Sequence, residues 1–130
     1  SKARFGVDLI PADGSTNEMN TGLLADADIV FCTARAGTQV LSKQQMAMAP
    51  QVLVVADANA VPPAGIEGVG LKDDGKPLES GALSLGPLIF GNIKVKTQRG
   101  LFQDMCNSDK PLYLNFQEAA AKARKLVGIG

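Results

Sequence analysis

The sequence predicts an α/β fold, a partial Rossmann-like three-layer domain with a parallel sheet. Short apolar runs without polar alternation fit strands buried on both faces. Helix start signals lie between these runs, and the links are short. The resulting order of strand, helix, strand, helix, strand is typical of right-handed βαβ units. At 130 residues, the chain has the length of one domain.

The first half of the chain contains three predicted strands, residues 5–10, 29–33 and 52–55. We expect all three to lie parallel in one sheet, and the second to be buried like the third. The third run changes character at Asp57 and leads into a polar loop. Ligands bind at the carboxyl edge of open α/β sheets, although a plain exit from a strand fits the pattern equally well.

Two capping-box signals predict the helices between these strands. Ser15 and Glu18 have the required spacing, so a helix is predicted from about residue 16 to residue 25. Ser42 and Gln45 repeat the spacing and predict a helix to about residue 48, which Pro50 ends.

The second half is predicted to be hairpin-like at first and helical later. Residues 69–80 are polar and rich in turn formers, which indicates a surface excursion or a hairpin. A helix is predicted from about Pro87 or Gly91 to Cys106, then a brief strand at residues 112–114. Residues 116–127 are rich in alanine and predict a closing helix.

Composition excludes several classes of function. Thirteen basic and thirteen acidic residues give zero net charge, which argues against a nucleic-acid partner. No apolar run has the length of a membrane span, so we expect no membrane partner. The chain has no histidine, which excludes catalytic Ser-His and Cys-His dyads and metal sites with histidine ligands. Cys32 and Cys106 are far apart without metal-ligand spacing, and a reduced, cytoplasmic protein is the simplest interpretation.

Neither a metal-binding motif nor a dinucleotide-binding motif is found in the sequence. The pair Asp73-Asp74 precedes a glycine and reads as turn chemistry, so no metal site is predicted there. A dinucleotide-binding half-fold opens with a strand and a glycine-rich turn, but no G-x-G-x-x-G motif follows a strand in this chain.

Three stretches together resemble one family of enzymes: ADANAVPPAGIEG at residues 56–68, GNIKVKTQ at residues 91–98 and KPLYLNFQEA at residues 110–119. They are similar to the carboxyl-terminal part of bacterial NAD(P)-dependent methylene-tetrahydromethanopterin dehydrogenases and related methylene-tetrahydrofolate enzymes. The resemblance implies an oxidoreductase that oxidises the methylene group to the methenyl form, passing hydride to NADP or NAD. It also implies a tetrahydropterin one-carbon carrier as the substrate.

The resemblance further implies that a first strand, its glycine-rich loop and an amino-terminal domain precede residue 1. Residues 1–130 would then be the C-terminal part of a NAD(P)-binding Rossmann-like domain. We therefore expect the chain alone to show no measurable dehydrogenase activity. We also expect it to self-associate or to assemble with the missing N-terminal part. The alternative is a noncatalytic α/β module for weak nucleotide binding or assembly.

The candidate cofactor-binding residues follow two strands. Small residues allow close approach of a ligand, and Arg35 has the geometry to pair with phosphate, although a solvated loop arginine is equally plausible. Asp57 fits an Asx-turn slightly better than a cofactor contact. For the others after the third strand, the resemblance favours contact with the cofactor. The full set is Thr33, Ala34, Arg35, Ala36, Asp57, Asn59, Ala60 and Val61.

The candidate substrate residues lie in the GNIKVKTQ motif. Pattern alone favours a surface position for Lys94, but the resemblance favours a catalytic lysine that contacts the pterin. Asn92 is its neighbour, and Gln98 lies one turn further along on the same helix face. Lys94 need not be a nucleophile, because hydride passes directly to the nicotinamide.

Overall fold

The computed structural model describes Ala3 and residues 6–129. The helices and strands that we number in these residues are α1 (Asn17–Leu24), β1 (Ile29–Cys32), α2 (Lys43–Ala47), β2 (Val54–Asp57), β3 (Asp74–Pro77), β4 (Leu83–Leu85), α3 (Pro87–Cys106) and α4 (Phe116–Leu126). In the described residues, no helix combines the length and apolar character needed to cross a membrane.

The four strands form one mostly parallel sheet in the order β1-β2-β4-β3. Strand β2 is central and pairs in parallel with β1 and with β4. Strand β3 pairs antiparallel with β4 at the other edge. The predicted α/β class with a partial Rossmann-like sheet is confirmed, and so is the parallel pairing of the second and third predicted strands.

The first predicted strand is not formed. Phe5 lies outside the described residues, and residues 6–10 are exposed and have no strand conformation. Ile10 is 92% exposed. A strand requires a neighbour for its N–H and C=O groups, and an apolar pattern does not reveal whether that neighbour is present.

The first two helices begin at side-chain caps. Thr16, rather than Ser15, caps α1, and its hydroxyl accepts a hydrogen bond from the Met19 N–H at 3.2 Å. The capping box of α2 is confirmed, since Ser42 Oγ accepts from Gln45 N at 3.2 Å and Gln45 Oε1 accepts from Ser42 N at 2.9 Å. The buried Gln45 amide also donates to the Asn17 carbonyl at 3.0 Å, which ties α2 to α1.

One face of the sheet carries the hydrophobic core. Val55 and Cys32 on this face are buried and belong to one cluster with Leu24 of α1 and Met46 of α2. The cluster continues into the segments that connect the helices and strands, and its remaining buried members are Leu41, Ala49, Val52, Ile66, Val69 and Ala82.

The opposite face of the sheet is partly open. Ile29, Phe31 and Leu83 are exposed there, and Phe31 is 70% exposed. The expectation that the 29–33 run is a buried strand is therefore wrong for this face. An apolar run fits a strand with two covered faces, but it cannot show which parts of the chain cover them.

Strand boundaries differ from the prediction in two further places. Strand β2 is shifted by two residues and includes Asp57 as its last residue. Strand β4 was missed because Leu83–Leu85 is only three residues long and its central serine reads as loop. Strands β3 and β4 form an antiparallel hairpin whose first strand lies within the predicted turn region at residues 69–80, whereas its second strand lies beyond that region.

The C-terminal helices form a hairpin of their own. Both lie close to their predicted bounds, they pack against each other, and Lys122 Nζ of α4 lies 2.7 Å from the Asp104 carboxylate of α3. The predicted strand at residues 112–114 is wrong, since Leu112 and Tyr113 are exposed and unpaired with any described strand. A short apolar run favours a strand only where a sheet edge is available.

A buried hydroxyl holds the β3–β4 hairpin. Ser84 is fully buried, and its Oγ lies 2.8 Å from Asp73 Oδ2 and 2.7 Å from the Lys76 carbonyl. Since a hydroxyl has one proton, it donates to only one of these acceptors at a time. The Gly70 N–H donates to Asp73 Oδ2 at 2.8 Å and, with the Ser84 hydroxyl and nearby Lys76, lowers the pKa of the Asp73 carboxyl against the effect of partial burial.

Helix α3 begins in tight contact with the preceding loop. The Leu88 N–H donates to the Leu71 carbonyl at 3.1 Å, and Gly86 is the N-cap residue. A Cβ atom at Gly86 would lie 2.1 Å from the Gly70 carbonyl oxygen. Glycine is required there because any side chain would collide with backbone.

We therefore expect Gly86→Ala to lower the free energy of unfolding by about 2 kcal/mol or more, since backbone must move to relieve the collision. Gly91→Ala in the same helix is the matched control, because its Cβ would meet nothing within 4 Å. Alanine should there raise stability by about 0.5–1 kcal/mol. Urea unfolding measures both variants, and equal effects would contradict the close approach at Gly86.

A second prediction concerns acid stability. Because the folded-state pKa of Asp73 is lowered, its ionised carboxylate stabilises the fold above its ordinary pKa of about 4. That stabilisation is lost as pH falls through the lowered folded-state pKa. Asp73→Asn should cost about 1 kcal/mol at pH 7 and progressively less below pH of about 4.

The matched control for this prediction is Asp74→Asn, which changes an exposed neighbour. Unfolding in urea at several pH values should give parallel curves for wild type and Asp74→Asn. A pH-independent loss in Asp73→Asn would contradict an ionised, hydrogen-bonded Asp73.

Candidate functional site

The predicted cofactor residues lie at the carboxyl ends of two adjacent parallel strands. Cys32 of β1 stands opposite Asp57 of β2 in the register of the pair. The Ala58 N–H donates to the Cys32 carbonyl at 2.9 Å, which continues the pairing for one residue beyond β2. Two loops leave the sheet side by side at this point, residues 33–37 after β1 and residues 58–66 after β2.

Asp57 is the buried centre of the second loop. Its side chain has no exposed surface. Oδ1 accepts from the Asn59 N–H at 2.9 Å, and Oδ2 accepts from the Ile66 N–H at 3.1 Å. The carboxylate therefore joins the first and last parts of the loop, as an Asx-turn interpretation predicts and with a second bond nine residues further along.

Asn59 holds the middle of the same loop. Its Oδ1 accepts from Val61 N at 3.0 Å and from Gly37 N of the first loop at 3.3 Å, while its Nδ2 donates to the Pro63 carbonyl at 3.0 Å. The residue is buried. The Asn59 side chain is thus committed to backbone groups of both loops, and it links them.

Close backbone approach fixes the end of the second loop. The Gly65 carbonyl accepts from Val40 N at 2.8 Å and from Leu41 N at 3.0 Å. A Cβ at Gly65 would lie 2.5 Å from Cys32 Sγ and 2.9 Å from Asp57 Oδ1. The close packing around Gly65 therefore explains why the NAVPPAGI motif has a glycine at this position, which the sequence did not reveal.

Cys32 is enclosed by this arrangement. Burial raises the pKa of its thiol, the Ala34 backbone N–H opposes this, and the Asp57 carboxylate raises it further. A protonated, buried thiol fits the expectation that Cys32 is a small packing residue. Cys106 is exposed at the end of α3.

The two loops present backbone and small side chains to solvent. Thr33, Arg35 and Ala36 are exposed in the first loop, whereas Ala34 packs partly against the core. Ala60 and Val61 are exposed in the second loop. Gly37 adopts a φ of +74° beside the Pro62 carbonyl, a conformation that favours glycine.

The charged side chains of this edge are the buried Asp57 carboxylate and the exposed Arg35 guanidinium. The carboxylate is fully engaged, and Arg35 supplies an exposed cation whose planar guanidinium matches phosphate oxygens. In the part of the chain that the structure describes, no cluster of three or more metal-ligating side chains occurs. The arrangement suits a ligand that carries its own reactive group.

The candidate substrate residues lie elsewhere, on α3. Lys94 and Gln98 share one helix face, as the spacing predicts, and line a groove between α3 and α4. Asn92 is exposed on α3 but does not line this groove. The structure therefore groups Lys94 with Gln98, and it groups the cofactor candidates separately at the sheet edge.

Sequence reasoning missed one polar residue in this groove, Thr97. It is 6% exposed, and its hydroxyl has no hydrogen-bond partner among the described residues. The only available signal was its position in the GNIKVKTQ motif, between the two residues that were selected.

We expect Asp57→Asn to lower the free energy of unfolding by about 1–3 kcal/mol, because an amide NH₂ cannot accept from the backbone N–H that one carboxylate oxygen now serves. Asp26→Asn, in an exposed turn, is the control and should change stability by under about 0.5 kcal/mol. Urea unfolding measures both. An Asp57→Asn variant with the same free energy of unfolding as wild type would show that these two hydrogen bonds do not hold the loop.

The chain is similar to two proteins from Methylorubrum extorquens. It is 37% identical over 98% of its length to an NAD(P)-dependent methylenetetrahydromethanopterin dehydrogenase, of which it covers 43%. It is 27% identical over 85% of its length to a protein described as bifunctional protein MdtA, of which it covers 38%. No protein-family model matches the chain.

The chain thus spans less than half of the length of these relatives. The resemblance that the three motifs indicated is confirmed by the longer match, which includes almost every residue of the chain. The chain is similar to a part of a methylenetetrahydromethanopterin dehydrogenase, consistent with the C-terminal part.

Proposed function

We propose that this chain is part of an oxidoreductase that oxidises methylene-tetrahydromethanopterin, or methylene-tetrahydrofolate, to the methenyl form with hydride transfer to NAD(P)+. Residues 1–130 would be the C-terminal part of its NAD(P)-binding domain. The observation that carries the proposal is the 37% identity over 98% of the chain to a protein named for that activity. The paired loops at the sheet edge support it, because this is where open α/β sheets bind ligands.

In this proposal, the loop edge binds the dinucleotide. Arg35 pairs with a phosphate, and the exposed backbone of Thr33, Ala36, Ala60 and Val61 lies against the ribose and nicotinamide. Asp57 and Asn59 act through the loop, since their side-chain atoms already bond to backbone groups. Ala34 supports the first loop from the core side. NADP or NAD supplies the hydride acceptor when bound.

The α3 residues serve the pterin in the same proposal. The Lys94 ammonium and the Gln98 amide face one groove, where they bind polar groups of the substrate. Lys94 stabilises charge that changes during hydride transfer. Asn92, on a different part of the α3 surface, is a substrate contact only if the ligand or a second domain extends around the helix.

A chimera tests the function directly. The segment of the Methylorubrum extorquens dehydrogenase that aligns with this chain is replaced by the 130 residues. Turnover of methylene-tetrahydromethanopterin is then followed through the absorbance of NADPH or NADH. Activity that depends on both substrates supports the proposal. A folded chimera without activity, whose cofactor binding is also lost, favours a noncatalytic α/β module.

The isolated chain provides the companion measurement. We expect no turnover from the 130 residues alone, because hydride transfer requires both reactants to be held at near-attack distance. Titration with NADP+ and NAD+ should still give weak binding if the loop edge holds the dinucleotide. Dehydrogenase turnover by the isolated chain would contradict the assignment of these residues to only part of the active site.

Lys94→Ala in the active chimera should lower kcat by a factor of about 30 to 1000, equivalent to about 2–4 kcal/mol, with little change in NAD(P)+ affinity. Lys96→Ala is the matched control, since this lysine is exposed two residues along the same helix and does not line the groove. An unchanged kcat with weaker cofactor binding would show that Lys94 contacts the cofactor and not the pterin.

The proposal also includes assembly and location. Exposed Ile29, Phe31 and Leu83 on the open sheet face favour self-association or assembly with further domain structure. Free cysteines fit a cytoplasmic, reducing compartment. Sedimentation of the isolated chain should show a dimer or larger species that Phe31→Lys weakens. A monomer at high concentration would contradict self-association.

A further inference from the structure

Helix α3 has a second apolar face, on the side away from α4. Val95 and Phe102 on this face are 62% and 65% exposed, and Leu88 is exposed as well. The three recur at every seventh residue, so they lie within about 40° of one another around the helix. Thr97, which lines the groove to α4, lies about 180° around the helix from Leu88. We call Leu88, Val95 and Phe102 the outward face of α3.

The α3–α4 hairpin has little core of its own. Helix α4 has no buried residue, and the buried residues of α3 are Pro87, Thr97 and Gly100, none of which is a large apolar residue. Within the described part of the chain, no residue of either helix belongs to the hydrophobic cluster on the core face of the sheet. Helices in proteins gain most of their stability when an apolar face is packed. A surface that covers the outward face of α3 would therefore stabilise the hairpin.

Charge is divided unevenly between the hairpin and the rest of the chain. Residues 86–130 contain seven basic and three acidic residues, which gives this region a net charge of +4. Residues 1–85 contain six basic and ten acidic residues, which gives a net charge of −4. Between two copies of the chain, unlike regions attract each other and like regions repel each other. Contact between the hairpin of one copy and the sheet region of another is therefore favoured.

The charges beside the two apolar faces follow the same division. Lys96 and Arg99 are exposed on α3 next to the outward face, and neither forms an ion pair with a described residue. Asp26 and Asp28 are exposed directly before β1, which contributes Ile29 to the open sheet face. The outward face of α3 thus has a basic margin, and the open sheet face has an acidic margin at the amino end of β1.

We propose that the outward face of α3 packs against the open sheet face of a second copy of this chain, and that the second copy returns the same contact. Such a two-fold dimer covers both apolar faces of each chain and forms the contact twice. It also brings the basic margin of one copy near the acidic margin of the other. The inference rests on the self-association in the proposed function and adds α3 as the second surface of the contact.

Sedimentation equilibrium of the 130-residue chain measures the dissociation constant of the dimer. Phe102→Lys on the outward face and Phe31→Lys on the open sheet face should each weaken the dimer at least about tenfold, because each places a charge in the apolar contact. Tyr113→Lys is the matched control and should leave the dimer unchanged, since this exposed aromatic residue belongs to neither face. Circular dichroism should show the helix content of wild type in all three variants, because the replaced side chains are exposed.

A mixture of the Phe31→Lys and Phe102→Lys chains separates this arrangement from other dimers. The first chain keeps an intact α3 and the second keeps an intact open sheet face, so one of the two contacts forms between them. The mixture should therefore associate about tenfold more tightly than either variant alone. A dimer that pairs two sheet faces, or two α3 helices, gives no such recovery.

Arg99→Glu tests the basic margin. It should weaken the dimer about three- to tenfold at about 50 mM salt and by a smaller factor at about 500 mM salt, because salt screens exposed charges. An unchanged dissociation constant at the lower salt concentration would contradict charge complementarity between the two faces and overturn the inference.

Three other outcomes would also overturn it: a monomeric wild type, a Phe102→Lys chain that dimerises as tightly as wild type, or a mixture without recovery. None of these measurements uses the cofactor or the pterin, so they are independent of turnover by the chimera. An active chimera together with any of these outcomes removes the dimer contact and leaves the dehydrogenase function standing. An inactive chimera together with recovery in the mixture supports the dimer contact and removes the dehydrogenase function.

Discussion

The Asp57 carboxylate organises the two loops at the carboxyl edge of the sheet. It ends the central strand, is fully buried, and accepts one backbone N–H from Asn59 and another from Ile66. A buried carboxylate is costly unless such bonds satisfy it, so the loop conformation and the burial of Asp57 require each other. Asn59 then extends the arrangement to the neighbouring loop through Gly37.

This interaction separates the residues that hold the edge from those that face solvent. The polar side chains that first suggest ligand contact are turned inward to backbone groups. The outward surface consists of small residues, backbone and Arg35. In the proposed function, the dinucleotide brings its own chemistry and needs such a preorganised surface more than it needs an acid or a base.

The sequence predicted the parts of this molecule that depend on local signals. The α2 capping box, the α4 helix and the apolar β2 strand all follow from neighbouring residues. Contacts between distant residues were not predictable in the same way. The exposed 6–10 run and the open face at Phe31 depend on what lies beside them, and β4 is recognised only through its pairing with β2. At the site, residue types indicated the two loops, whereas the engaged state of Asn59 and the unpaired hydroxyl of Thr97 required three-dimensional structure.

Amide hydrogen exchange of the isolated chain tests most directly whether Asp57 preforms the loop edge. The N–H groups of Asn59 and Ile66 should exchange as slowly as those of central strand β2, because they open only when the core unfolds. The N–H of the exposed Ala60 should exchange rapidly and serve as the internal reference. Rapid exchange at both Asn59 and Ile66, with β2 still protected, would contradict a preformed loop held by the Asp57 carboxylate.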